Sequence, residues 1–312
     1  MDVRHLRYFL ALAEEQHFGR AAAHAHIEQS ALSRNISQLE DDLGVPLFVR
    51  SRQGTTLTPA GTALREHARL ILTNFERAKR AVAAVGGLPP ILHVGLSDGL
   101  VQPRLSELFH RWREVEPTVP LQITELPSYA QQDALQTEHI DIALGFGAAS
   151  DSLAVEPLWH DPVVVVVPHD HVLAQAETLA FSDISECPLV LCHPRVKPGL
   201  RAQIDAILQG AGIDPNPMET ADSPAGMIVR VGAGRGLGFL DANHAQTVHR
   251  PDVVMVPLAE PEAILTTFAL TKREREDAMA PAIRRFIALA CAMGQASLDA
   301  PVADCASQSC PI

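Results

Sequence analysis

The sequence predicts two architectures in series, a small all-α helix-turn-helix unit with a wing and a larger α/β region of two lobes, joined by a long helix. Three observations carry this. Apolar residues recur at helical spacing through residues 6–39. A heptad-like apolar stripe then runs through residues 64–85. From Ile91 the period shortens to that of strands, which alternate with helical stretches.

The chain has 312 residues, room for about two domains at ~100–200 residues each. At 47% hydrophobic residues it can build real cores. It contains no apolar run long enough to span a bilayer. Asp2, Arg4 and His5 stand where a signal peptide would place apolar residues, so a cytoplasmic location without membrane contact is the expectation. The five cysteines, Cys187, Cys192, Cys291, Cys305 and Cys310, are odd in number and do not read as a disulfide framework. On a strand, the spacing of Cys187 and Cys192 puts them on opposite faces, which favours two buried thiols over a metal site.

Net charge is −12, but it is unevenly distributed. Residues 1–88 carry 11 Lys and Arg against 9 Asp and Glu, a balance of +2; the remainder carries 14 against 28, a balance of −14. The N-terminal part can approach a polyanion, whereas the acidic remainder is repelled by one.

Leu6, Phe9, Leu10 and Ala13 form one apolar helix face. A second helix is expected over 19–26, with Ala21, Ala22 and Ala25 as a small packing surface and Phe18 as a plug. Gln29-Ser30 opens a third helix whose buried side is Leu32, Ile36 and Leu39. Its other side shows Ser30, Arg34, Asn35 and Gln38, with Gln29 at its start and Ser33 at the margin. Arg pairs with guanine edges or phosphate, Asn and Gln with adenine, and Ser with base or backbone. That chemistry on a second helix after a tight turn suits a DNA groove. An ordinary solvated face on a small helical domain is the alternative.

Residues 44–57 read as a wing. Gly44 ends the helix, Leu47-Phe48-Val49 is extended, Arg50-Ser51-Arg52-Gln53-Gly54 is a basic turn, and Thr55-Thr56-Leu57 returns. Arg50 and Arg52 are candidates for phosphate contact, a plain basic hairpin being the alternative. Thr58 as N-cap and Pro59 in the first turn start a helix that runs to Val85, stopped by Gly86-Gly87 and Pro89-Pro90. Leu64, Ala68, Ile71, Phe75, Ala78, Val82 and Val85 form a seam too narrow to cover a core, which predicts pairing with the same helix of a second chain. Such a dimer presents two recognition helices to a two-fold DNA site.

Beyond that helix, strands are expected at Ile91–Leu96, Val119–Leu126 and Ile140–Phe146, separated by helices over 101–115 and 128–138, as in an open parallel α/β sheet. The valine run Val163–Val167 reads as a fully buried central strand. A second unit follows, with strands at 188–191 and 237–240 and helices at 198–211 and 227–231. Strand Thr266–Leu270 and a closing helix over 280–293 return to the first lobe. The expected division is 1–58 for the winged unit, 59–88 for the linker helix and 89–293 for the lobes. Lobe I takes 89–160 and 266–293, lobe II takes 161–265, and 294–312 is a disordered tail.

Ligands of open α/β sheets sit beyond the carboxyl ends of strands, near helix N-termini. This nominates Ser97, Asp98, Ser128 and Tyr129 in the first lobe and His193, Lys197, Asp222 and Ser223 in the second. A small carboxylate suits such ends, although turn Ser and Asp residues often only cap their own helices. No catalytic set is visible. The glycine run Gly232-Ala233-Gly234-Arg235-Gly236-Leu237-Gly238 precedes a strand instead of following one, so a dinucleotide fingerprint fails mechanically. The histidines at 160, 169, 171 and 193 do not fall at metal-ligand spacing. An enzyme, a cofactor and a metal are therefore not expected.

These motifs together resemble the LysR-type transcriptional regulators. The specific part is Phe18, Ala21-Ala22, Gln29, Ala31-Leu32-Ser33-Arg34, Ile36, Leu39-Glu40, Leu43-Gly44, Leu47-Phe48, Arg50 and Leu57-Thr58-Pro59-Ala60-Gly61. Ser30 departs from the Pro that many members carry. The resemblance implies an N-terminal winged helix-turn-helix, a dimerising linker helix and a periplasmic-binding-protein-like effector domain of two α/β lobes with a small molecule between them. It further implies a homotetramer built from dimers, activation or repression at double-stranded promoter DNA, and RNA polymerase as a further contact. The wording Glu15-Gln16-His17-Phe18-Gly19-Arg20-Ala21-Ala22 is most similar to the branch regulating aromatic-compound degradation, whose effectors are organic acids. The family's pocket Ser/Thr falls on Ser128, while Ala148 stands where that branch often has Arg. Two alternatives remain at this stage. One is a solute-binding protein with a helical extension and no specific DNA binding. The other is a redox sensor using Cys187 and Cys192, whose surroundings do not match the peroxide-sensing branch.

Overall fold

The computed structural model describes residues 2–51, 54–97, 100, 102–128, 130–147, 152–273 and 279–298. They fall into two compact units, residues 1–88 with 136–139, and the remainder.

The first unit begins with Asp2, whose carboxylate accepts from the backbone N–H groups of Arg4 and His5 and so caps α1 (Val3–Glu15). Leu6, Phe9, Leu10 and Ala13 are all buried, as their spacing predicts. The second helix, α2 (Phe18–His24), stops short of the expected residue 26 because His26 adopts a left-handed φ of +51°. Helix α3 (Gln29–Leu43) buries Leu32, Ile36 and Leu39 completely and ends at Gly44, φ +70°. Strands β1 (Phe48–Ser51) and β2 (Gly54–Leu57) form the antiparallel wing.

Helix α4 (Pro59–Val85) is capped as the sequence predicts, Thr58 Oγ1 accepting from Gly61 N–H at 3.0 Å. Thr58 Oγ1 also donates to the Pro46 carbonyl at 2.8 Å. Gly61 is required there, because a Cβ would lie 2.2 Å from the Leu47 carbonyl oxygen. The heptad seam needs correction at its first turns. Ala68 is 0% exposed and sits with Leu72 in the core of the winged unit, and Leu64 packs against the same core. Only Ile71, Phe75, Ala78, Val82 and Val85 remain exposed. Glu76, buried on α4, accepts from Arg7 of α1 and from Lys79, both at 2.7 Å, and ties α4 to α1. The linker helix is thus part of the first unit and not a separate body.

In the second unit, β3 (Leu92–Ser97), α5 (Pro103–Val115), β4 (Leu121–Leu126), α6 (Gln131–Gln136) and β5 (Ile142–Gly145) build the first lobe. Strand β3 pairs in parallel with both β4 and β5. The expected lobe boundary at 160/161 falls within a single strand, β6 (Leu153–Pro168), that runs through both lobes. It is followed by α7 (Phe181–Ile184), β7 (Val190–Cys192), α8 (Pro198–Gly210), β8 (Glu219–Ala221), α9 (Pro224–Gly232), β9 (Gly238–Asp241), α10 (Ala242–Ala245), β10 (Val253–Pro257), β11 (Ile264–Lys272) and α11 (Ala280–Leu298).

Strand β11 returns antiparallel to β6 from Pro162 back to Leu153 and antiparallel to β5. The sheet is therefore mixed and not purely parallel. Strands β9 and β10 flank the valine half of β6, both antiparallel to it, and all five valines are buried. Strand β10 has no counterpart among the expected elements. The first lobe packs Trp112, Trp159 and Phe286 into one core, which brings α11 onto α5 and β6. Helix α11 reaches Leu298, so residues 294–298 are helical and not a disordered tail; the rest of that tail lies outside the described residues.

Candidate functional site

The three apolar residues of α3 fix its orientation, and the opposite side faces outward. Gln29, Ser30, Arg34 and Gln38 are exposed; Ser33 and Asn35 are half-buried. Two of the expected readers also hold partners on their own helix. Asn35 Nδ2 donates to the Ala31 carbonyl one turn back at 2.8 Å, and Gln38 Nε2 donates to Asp42 Oδ1 at 3.0 Å. One amide N–H of each is thus engaged on its own helix, and Gln29, Ser30 and Arg34 are exposed beside them, with Ser33 at the margin. Ser30 and Arg34 line an open groove with Ala23 of α2 and His26 of the turn after it.

Arg50 is also engaged. Its guanidinium sits 4.7 Å from the Phe18 ring centroid and 4.0 Å from Glu40 Oε2. Arg52 lies outside the described residues.

The second candidate site lies between the two lobes of the second unit. Ser97 ends β3 and Ser128 follows β4; their hydroxyl oxygens are 2.7 Å apart. A cavity of about 250 Å³ opens beside them, lined from the first lobe by Ser128, Gln131, Gln132, Phe146, Gly147, Leu153 and Leu270, and from the second by Lys197, Pro198, Gly199 and Leu200. Lys197 is 3% exposed, so its ammonium stem is enclosed in the protein. Gln203 of α8 fastens the lobes here, donating to the carbonyls of Phe146 at 2.6 Å and Thr266 at 2.9 Å and accepting from Thr266 N–H at 2.7 Å. A hydroxyl, two amides and a lysine beside the apolar Phe146, Leu153, Leu200 and Leu270 suit a small organic molecule with a polar end.

The expected ligand residues separate at this point. Ser128 and Lys197 line the cavity, and Ser97 touches Ser128. His193 and Ser223 cap local structure instead: His193 Nδ1 accepts from Arg195 N–H, and Ser223 Oγ accepts from Gly226 N–H to cap α9. Asp222 is exposed and is not among the lining residues. Asp98 and Tyr129 lie outside the described residues. Gln131, Phe146 and Gly199 were not foreseen. Pro198-Gly199 at the start of α8 was the available signal, because glycine after an N1 proline implies close backbone approach.

Where β6 and β11 pass between the lobes, a buried polar cluster forms. Arg104 holds Asp161 through two hydrogen bonds at 2.9 and 3.2 Å, and Gln102 Nε2 donates to Asp241 Oδ1 at 3.1 Å. Burial pushes the Asp161 carboxyl up against the pull of Arg104. Burial likewise pushes Asp241 up to about 6, with the Asp161 charge adding and the His244 N–H and Gln102 opposing.

Neither Cys187 nor Cys192 is in a disulfide. Burial first, and then Glu186, pushes the Cys187 thiol up, the reverse of a reactive redox cysteine. Among the described residues no group of metal-ligating side chains assembles, and no helix is long and apolar enough to cross a membrane.

Comparison with known proteins covers both units. Residues 3–62 match the family described as bacterial regulatory helix-turn-helix protein, lysR family, and residues 86–293 match the LysR substrate binding domain. An uncharacterized HTH-type transcriptional regulator, YnfL of Escherichia coli, is 31% identical over 92% of this chain and 96% of its own length. The HTH-type transcriptional regulator CatR of Pseudomonas putida is 31% identical over 93% of this chain and 98% of its own. The crystal structure of full-length BenM, a regulator of Acinetobacter baylyi, superposes with a TM-score of 0.56 at 26% identity, covering 92% of this chain and 96% of that one. These relatives are regulators and not enzymes. The match over residues 3–62 speaks against a solute-binding protein with an incidental helical extension.

Proposed function

The chain belongs to the LysR family of DNA-binding transcriptional regulators, and from that premise we propose that a small organic acid, in keeping with the aromatic-degradation branch, occupies the cavity between the lobes and modulates promoter binding. The carrying observation is the cavity itself: Ser128 of lobe I, whose hydroxyl meets that of Ser97, and the buried Lys197 of lobe II both line it, together with the apolar Phe146, Leu153, Leu200 and Leu270. A ligand that touches both lobes binds one lobe arrangement more tightly than another, which is the physical requirement for it to act as an effector. On this reading Gln29, Ser30, Ser33 and Arg34 meet base edges and backbone in the major groove. The exposed stripe Ile71, Phe75, Ala78 and Val82 pairs two chains, and pairs of dimers form the tetramer.

The test uses the purified protein and DNA from upstream of its own gene. Wild type binds with an affinity that falls steeply as salt rises. Arg34→Ala loses preference for that DNA over an unrelated duplex by about ten- to a hundredfold. A screen of small aromatic and aliphatic acids by thermal shift then finds a compound that raises the melting temperature of wild type and of Arg34→Ala alike. Absence of salt-dependent DNA binding, or an Arg34→Ala variant that still discriminates, overturns the reading.

A further inference from the structure

We propose that Arg50 is a positioning residue that sets the wing against the two helices of the DNA-reading unit, and not a phosphate contact; this rests on the DNA-binding reading above. Arg50 lies in β1, and three observations fix its role. Its guanidinium covers the ring of Phe18, the first residue of α2, at 4.7 Å. It also faces Glu40 Oε2, on α3, at 4.0 Å. The other oxygen of that carboxylate, Glu40 Oε1, accepts from Leu47 N–H at 2.8 Å and from Phe48 N–H at 3.2 Å. One glutamate therefore terminates the loop that leads into the wing and neutralises the cation that lies on it.

The consequence is geometric. Strand β1 is pinned to α3 through Glu40 and to α2 through Phe18. On the far side β2 is pinned by Thr55 N–H donating to the Gln16 carbonyl, at 2.9 Å. A two-stranded wing has little stability of its own. Its angle to the recognition helix is set by these attachments, and that angle decides whether the wing reaches the duplex while α3 is in the groove. Arg50 acts through Glu40 and Phe18 on the placement of other DNA-contacting groups.

The experiment compares wild type, Arg50→Ala, Arg50→Lys, Glu40→Gln and the double variant in the full-length protein. DNA affinity is read across a salt series, and amide hydrogen exchange is read in the free protein. Expected are an affinity loss of about tenfold in Arg50→Ala, an unchanged slope of log affinity against log salt, and faster exchange at the Leu47, Phe48 and Thr55 amides. Glu40→Gln reproduces all three, and the double variant loses no more than either single one. A slope lowered by about one unit in Arg50→Ala, restored by Arg50→Lys, with wing exchange unchanged, overturns the proposal. The exchange arm needs no DNA. If wild type fails to bind DNA the functional reading falls, while unchanged wing exchange in both single variants still refutes the positioning role.

Discussion

Gly199 and Gly147 meet across the cleft so closely that a Cβ on Gly199 would stand 1.7 Å from the Gly147 carbonyl oxygen. No side chain fits there, and the obstacle is backbone, which cannot swing aside. Gly199→Ala must push the start of α8 away from the turn after β5, at a cost of about 1–3 kcal/mol. Expected are a lower melting temperature and loss of the ligand-induced thermal shift. An alanine variant that melts and responds as wild type would show that the lobes do not close on this contact.

Ser97 is buried and its hydroxyl meets that of Ser128 at 2.7 Å. Ser128→Ala removes both that partner and the hydroxyl that lines the cavity. The stability cost is about 1 kcal/mol, and affinity for the acid found in the screen falls about tenfold, while DNA binding in the absence of ligand is retained. Calorimetric titration decides it; an unaltered ligand affinity removes Ser128 from the site.

Asp241 gives a pH prediction with a definite sign. Its folded carboxyl titrates near 6, against 3.8 for the ordinary group. Between those values the folded protein holds a proton that the unfolded chain has released, so this group's contribution to stability is present at low pH and lost as pH rises through about 6. Asp241→Asn imitates the protonated form and keeps an acceptor for the His244 N–H. It is expected to exceed wild type in stability by on the order of 2 kcal/mol at about pH 7.5, the gain shrinking toward zero as pH falls to about 4. Paired denaturant titrations across that range measure it, and a gain that grows on acidification contradicts the assignment.

Position along α4 separates two kinds of failure. Val82 is 73% exposed and Ala68 is 0% exposed. Val82→Asp should leave the fold intact and weaken self-association at least about tenfold, read by analytical ultracentrifugation. Ala68→Asp buries a charge in the core of the winged unit and should unfold that unit. A Val82→Asp protein that assembles like wild type moves the pairing surface elsewhere.

Which parts were legible in sequence follows from the range of the interactions. Leu32, Ile36 and Leu39 oriented α3 correctly because helical periodicity is a local property. Thr58 and Pro59 marked the start of α4 because a cap is satisfied within one turn. The valine run marked the central strand because a strand covered on both faces cannot alternate. Side-chain partners were not legible. Asn35 and Gln38 have the chemistry of base readers, yet each finds a nearer acceptor on its own helix. Ser97, Ser128 and Ser223 are alike as turn residues, and only the fold turns the first two toward each other and leaves the third as a cap.

By itself, the sequence determined the winged unit's order of elements, the buried face of α3 and the family to which the chain belongs, because these depend on periodicity, caps and a long local motif. The tertiary structure alone decided which cations are committed, as Arg50 is to Phe18 and Glu40, and which turns converge on one cavity. It also decided that the first turns of the heptad stripe serve the chain's own core while the later ones stay exposed. The physical reason is that a repeat records which side of a helix is apolar and not what covers it. That depends on contacts between residues far apart in sequence, such as Gln102 with Asp241, 139 positions away, which exist only once the chain is folded.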